Sequence, residues 1–212
     1  MTHPEYRNHG LSASLINLVL EEYKNHYDFM YLFANQHVLD FYPKFGFQRV
    51  NEYQFSMTYS PHQSVEAGRI RKLDGSNIKD LKFIYKVASE RVPVSNLFGT
   101  LNSQGVLMFY CIYVFNNDIY YIEDQDAIVI FRTEGRQTDI FDIISKKEIN
   151  IHHILPKITN RDTNKIVFHY TPSYKGIDAH SQTFSGADVL FVKTSGSNYF
   201  PLNVKHPITS QA

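Results

Sequence analysis

The sequence predicts a mixed α/β fold on three grounds. Apolar residues spaced for a helix follow Gly10, short aromatic runs alternate with further helical stretches, and three strands joined by tight turns occupy residues 119–144. With 212 residues the chain can form one large domain or two small ones, each burying its own core. There is no Trp, but 15 Tyr and 16 Phe supply the aromatic area such cores need.

The first helix is expected from Leu11 to about Asn25. Its apolar stripe is Leu11, Leu15, Leu18, Val19 and Tyr23, opposite Ser12, Ser14, Asn17, Glu21 and Glu22. Tyr27 to Phe33 reads as a buried strand. Asn35 can cap a second helix that buries Val38, Phe41 and Phe45 and ends at Gly46, which can turn left-handed. Gln48 to Thr58 alternates as one or two strands. Ser60 to Gly68 is polar and broken by Pro and Gly, the predicted linker between a first domain, residues 1–60, and a second, residues 61–212.

Beyond the linker, Arg69 to Leu73 alternates like an edge strand, Asp74 to Asn77 supplies a turn and cap, and Ile78 to Val87 has helical spacing. Val94 to Phe115 reads as a helix passing into apolar chain, or as holding a strand within 106–115. Ile119–Ile122, Ala127–Phe131 and Gln137–Ile144 form an antiparallel meander. A short amphipathic helix from Ile149 to Ile158 and strands at Lys165–Tyr170 and Val189–Val192 complete the series.

Composition narrows the function. Lys plus Arg and Asp plus Glu both total 21, so no net basic field draws nucleic acid or an anionic membrane. The one cysteine, Cys111, lies in an apolar run and cannot form an internal disulfide, which fits a cytoplasmic protein with a buried, inert thiol. No apolar run reaches the ~18 residues of a membrane span. Adjacent His152 and His153 diverge on a helix, and no His-Glu-x-x-His or Cys-x-x-Cys occurs, so no metal site is expected.

The chemistry concentrates near the N-terminus. Arg7-Asn8-His9-Gly10-Leu11-Ser12 is a small-residue turn opening a helix, where unpaired amides and the positive end of the helix dipole converge on an anion. A capped core helix is the plainer reading of the same residues. Further on stands Asn35-Gln36-His37-Val38-Leu39-Asp40-Phe41-Tyr42-Pro43-Lys44-Phe45-Gly46-Phe47. Together the two segments resemble the GCN5-related N-acetyltransferase (GNAT) family. Its phosphate loop, Arg/Gln-x-x-Gly-x-Gly/Ala, is matched by Arg7, Gly10 and Ser12, and its later motif by Asn35, Tyr42, Lys44, Gly46 and Phe47, with Val38 in place of the favoured Ala.

The resemblance implies acetyl-CoA as co-substrate, transfer of its acetyl group to a small-molecule or peptide amine, and a GNAT-like acyltransferase fold. It implies that Arg7, Asn8, His9, Gly10, Leu11 and Ser12 hold the cofactor's diphosphate, with Asn35 at the pantetheine arm or capping a helix. It also implies that Tyr42 is the catalytic acid protonating the departing thiolate. A core tyrosine beside Phe41 and Phe45 is the alternative for Tyr42. Helical geometry would set Phe41 and Tyr42 about a hundred degrees apart, in separate environments, and Pro43 would kink the segment.

The family's fold places a strand, two helices and three strands before this loop, whereas Met1 stands six residues before Arg7. Residues 1–60 therefore read as the C-terminal half of an acetyl-CoA-binding domain, from a chain with an internal or misassigned start. Residues 61–212 repeat the family's element order as a degenerate, non-catalytic copy, because Ser145 to Asn150 carries no glycine turn. A non-catalytic binding module is the competing reading, and exposed strand edges would favour a homo-oligomer.

Overall fold

A computed structural model describes residues 2–61 and 69–211. In chain order these form α1 (Leu11–Glu22), β1 (Phe29–Asn35), β2 (Gln48–Arg49), β3 (Glu52–Thr58), β4 (Ile70–Leu73), α2 (Ile78–Ser89), α3 (Gln104–Tyr113), β5 (Ile119–Ile122), β6 (Ala127–Glu134) and β7 (Gln137–Ser145). Then come α4 (Ile151–Ile158), β8 (Lys165–Phe168), β9 (His180–Phe184) and β10 (Asp188–Thr194). The fold class is mixed α/β, as the alternating patterns predict. Among the described residues no helix is long and apolar enough to cross a membrane.

Two compact units result. The smaller joins Met1–Asn51 to Ser185–Leu202, and the larger joins Glu52–Phe184 to Asn203–Ala212. Sequence pattern placed a division at residue 60, in the linker whose residues 62–68 lie outside the described ones. The chain leaves the smaller unit after Asn51 and re-enters it at Ser185, where β10 pairs antiparallel with β1 along its whole length, from Phe29 opposite Thr194 to Asn35 opposite Asp188. β2 lies on the other side of β10, giving the order β1-β10-β2.

The larger unit is a seven-stranded sheet in the order β4-β5-β6-β7-β8-β3-β9, antiparallel except where β7 runs parallel to β8. Helices cover both faces, so its central strands are apolar on both. Along β6, Ala127 and Val129 face a core with Ile154 and Phe168, while Ile128 and Ile130 face another with Leu107 and Cys111. The meander, the edge strand β4 and the Asn77 cap, whose side chain accepts from the Lys79 amide at 2.9 Å, all follow their sequence signals. Residues 104–113 are helical, which settles the ambiguous stretch without a strand. β9 had no sequence signal, since all five of its residues are exposed and it forms through main-chain pairing with β3.

Two expectations in the smaller unit are corrected. The helix expected after Asn35 is a pair of 3-10 turns, Gln36–Val38 and Tyr42–Phe45. Pro43 lacks the N–H that an α-helix would bond to Leu39, and Val38 stays exposed rather than buried. The apolar stripe of α1 faces outward. Leu15 is 63% and Leu18 67% exposed, and no residue of this helix is fully buried. Ala13, Ile16 and Leu20 are its half-buried positions instead.

Candidate functional site

The turn before α1 is built by two left-handed residues. Asn8 has φ 64° and Gly10, the N-cap of α1, has φ 75°. Asn tolerates that region better than most side chains and Gly enters it without steric cost. No side chain caps the helix; the first amide paired into it is that of Ser14, bonded to the Gly10 carbonyl at 2.9 Å. Among the described residues, none offers a hydrogen-bond acceptor to the amides of Asn8, His9, Gly10, Leu11 or Ser12. These groups are exposed, and the helix dipole adds partial positive charge. Alternating left- and right-handed residues make the concavity in which main-chain amides hold anions.

Side chains support this turn from one direction. The Ser12 and Thr2 hydroxyls lie 2.8 Å apart, and Arg7 Nε donates to the Thr2 carbonyl at 3.3 Å. Arg7 and His9 are exposed. The residues predicted at the phosphate loop are therefore brought together at one open helix start.

Tyr42 opens the second 3-10 turn, half-buried against Phe47 and Phe191 with ring centroids at 6.3 and 5.8 Å. Its ring also meets Phe41 edge to face at 5.4 Å. The separate environments expected for these two rings do not arise, because the segment is not an α-helix. Among the described residues no partner lies within hydrogen-bonding distance of the Tyr42 hydroxyl. Tyr42 instead lines a groove of about 450 Å³, with Leu15, Val19, Leu20, Met30 and Tyr31 on its walls. Burial there raises the Tyr31 phenol above its ordinary value. Asn35 caps its turn as expected, its Oδ1 accepting from the His37 amide at 3.1 Å.

Sequence reasoning missed what fixes the far end of this turn. Gly46 is left-handed at φ 82°, and Lys193 of β10 reaches over it to donate from Nζ to the Phe45 carbonyl at 2.9 Å. A Cβ at Gly46 would stand 2.7 Å from that Nζ. The Gly46 stop was legible in the sequence. Lys193 was not, because it reaches the site only through the pairing of β10 with β1.

Residues 1–47, spanning both the open helix start and the Tyr42 turn, match the sequence profile described as the acetyltransferase (GNAT) family. The likeness to that family is confined to this segment. No curated protein matches the chain. Among solved structures it is similar to a GCN5-related N-acetyltransferase from Kribbella flavida, at 13% identity and TM-score 0.47, covering 92% of this chain and 50% of that one. It is also similar to a protein of Enterococcus faecalis V583 described as a probable N-acyltransferase, at 15% identity and TM-score 0.48, covering 91% and 52% respectively. A third is Eis1 from Mycobacterium abscessus, at 11% identity and TM-score 0.49, covering 90% and 53%. The chain spans about half the length of these three structures. Within the matched segment lie all the residues singled out from the sequence: Arg7 to Ser12, Asn35 and Tyr42.

Proposed function

We propose that the protein is an N-acetyltransferase that takes acetyl-CoA as co-substrate and a small-molecule or peptide amine as acceptor. The observation that carries this reading is the set of unpaired amides from Asn8 to Ser12 at the start of α1, inside the matched segment. The residues suit a nucleotide diphosphate. They offer several main-chain donors, a left-handed glycine that lets the anion approach, and the guanidinium of Arg7 nearby. Asn35 caps the first of the two 3-10 turns, and Tyr42 opens the second.

In transfer, the acceptor nitrogen bonds to the thioester carbonyl carbon as the carbon–sulfur bond breaks. The nitrogen gives up a proton to solvent. Tyr42 gives its phenolic proton to the departing sulfur as a general acid. Its free hydroxyl and its place on an apolar groove support that assignment. In the larger unit the order strand, two helices, three meander strands, helix, strand agrees with reading residues 61–212 as a second, non-catalytic copy of the fold. Its α4 starts after Ser145 to Asn150, where Asn150 already occupies the His152 amide at 3.0 Å.

Calorimetric titration of the chain with acetyl-CoA and with coenzyme A tests the binding half, using Ser12→Asp to set a carboxylate against the diphosphate. Binding lost in Ser12→Asp and kept in Tyr42→Phe, with acetyl transfer slowed about 10²–10⁴-fold in the latter, is expected. No heat at millimolar acetyl-CoA would overturn the reading.

A further inference from the structure

We infer that the open edge of β4 docks an extended acidic segment of a partner protein, which joins the larger unit's sheet as a further strand. β4 ends the seven-strand order, with β5 on one side and, among the described residues, no strand on the other. The Glu123 amide donates to the Arg69 carbonyl at 3.1 Å, so Arg69, Arg71 and Leu73 turn their main-chain groups towards β5. The alternate residues, Ile70, Lys72 and Asp74, turn theirs outward. Asp80 Oδ2 takes the Asp74 amide at 3.0 Å, whereas among the described residues nothing bonds the amides and carbonyls of Ile70 and Lys72. Donors and acceptors alternating at strand spacing are matched by another main chain, and not by a phosphate backbone or a lipid headgroup.

Charge selects what can pair there. From Arg69 to Ser89 the sequence holds six cations, Arg69, Arg71, Lys72, Lys79, Lys82 and Lys86, against two carboxylates, Asp74 and Asp80, in a chain that is neutral as a whole. Asp80 is engaged by the Arg71 guanidinium at 3.0 Å and by the Asp74 amide, bonds that set the first turn of α2 beside β4. Among the described residues Arg69, Lys72, Lys79, Lys82 and Lys86 have no carboxylate within ion-pairing distance. Lys79, Lys82 and Lys86 share one face of α2, and the residues three or four places from Lys82 include no acid. Carboxylates brought from outside relieve that repulsion.

Both faces of β4 carry a cation. Arg71 lies on the α2 side, its guanidinium 5.4 Å from the Phe83 ring centroid and 5.8 Å from that of Tyr121. Lys72 lies on the opposite side, where its Nζ is 5.9 Å from the Tyr120 ring. An added strand therefore meets positive charge from successive residues, which suits a run of Asp or Glu rather than an alternating pattern. The same cations repel a second β4, so this edge rejects pairing with its own copy. The sheet's other edge, β9, reads His-Ser-Gln-Thr-Phe and has no lysine or arginine to hold such a run.

The test uses the full chain, isotopically labelled for NMR, titrated with a capped hexaglutamate peptide. A capped peptide of alternating Gln and Ser serves as the uncharged arm. Hexaglutamate N-methylated at every amide keeps the charge without the main-chain donors, and phosphatidylserine vesicles and oligothymidylate present anions of other kinds. Hexaglutamate is expected to bind with a Kd below about 1 mM, with shifts centred on residues 69–74, 78–82 and 119–122. The uncharged and N-methylated peptides should each bind at least about tenfold more weakly, as should hexaglutamate to Lys72→Glu/Lys79→Glu. Both lysines are exposed, so the double variant should keep the wild-type spectrum elsewhere. Equal affinity for either control peptide, unchanged affinity in the double variant, or tighter binding of the vesicles or the oligothymidylate would overturn the inference. So would shifts centred on residues 7–12, or the absence of saturable binding. Acetyl-CoA binding at α1 is a separate measurement, and its failure would leave this result standing.

Discussion

Asp142 is the residue whose loss should most damage the larger unit. Its carboxylate is 1% exposed and receives Arg91 in two-pronged fashion, NH1 to Oδ2 at 2.8 Å and NH2 to Oδ1 at 2.6 Å. Thr209 Oγ1 donates a third hydrogen bond at 2.6 Å, and Arg91 NH2 also reaches the Ile143 carbonyl at 3.0 Å. One buried carboxylate thus joins β7, the residues after α2 and the C-terminal segment. Asp142→Ala strands a guanidinium that is itself 9% exposed, and breaking such a pair from one side costs about 3–5 kcal/mol. In a chain of 212 residues each kcal/mol moves the melting temperature by ~2–4 °C, so a loss of roughly 10 °C is expected by calorimetry. Arg91→Met/Asp142→Leu should recover much of that loss, because neither charge is then left alone. A cost under ~1 kcal/mol for Asp142→Ala, or a double variant less stable than either single one, would refute this account.

Three further outcomes are expected. Burial, aided by the nearby Lys205 charge, pushes the His206 imidazole down from 6.5 to about 4, against a hydrogen bond to the Pro207 carbonyl. The unfolded chain binds that proton first on acidification, so this contribution is complete above pH 6.5 and is lost as pH falls towards 4. Urea midpoints should drop across that window, and less so in His206→Leu. Cys111 is fully buried and its thiol is pushed up to about 12, chiefly by burial, so the native chain should not react with a thiol reagent and the unfolded chain should give one equivalent. That silence also leaves the thiol assay clear for coenzyme A release. A Cβ at Gly75 would press on the Cys111 carbonyl oxygen and stand 2.7 Å from Asn116 Cα, so Gly75→Ala should cost at least ~2 kcal/mol by urea denaturation.

Much of the candidate site was legible because its chemistry is local. A left-handed glycine before an apolar periodic run, and an Asn placed to cap the next turn, need only neighbouring residues to take shape. Pro43 signalled the trouble in its helix, and the structure resolves it as a break into two 3-10 turns. Periodicity was less informative for α1. It named the apolar stripe correctly but not the surface that stripe would meet, since the pattern says only that a face is apolar.

The sequence by itself determined the elements of the meander, the caps at Asn35 and Asn77, the turn at Gly10 and the stop at Gly46. Each of these follows from backbone conformations set within a few residues. Only the tertiary structure decided that β10 comes back to β1, that Lys193 locks the Tyr42 turn, and that Arg91 finds Asp142. Strand pairing joins segments through main-chain groups common to every residue, so the choice of partner rests on how whole faces pack rather than on any local run of side chains.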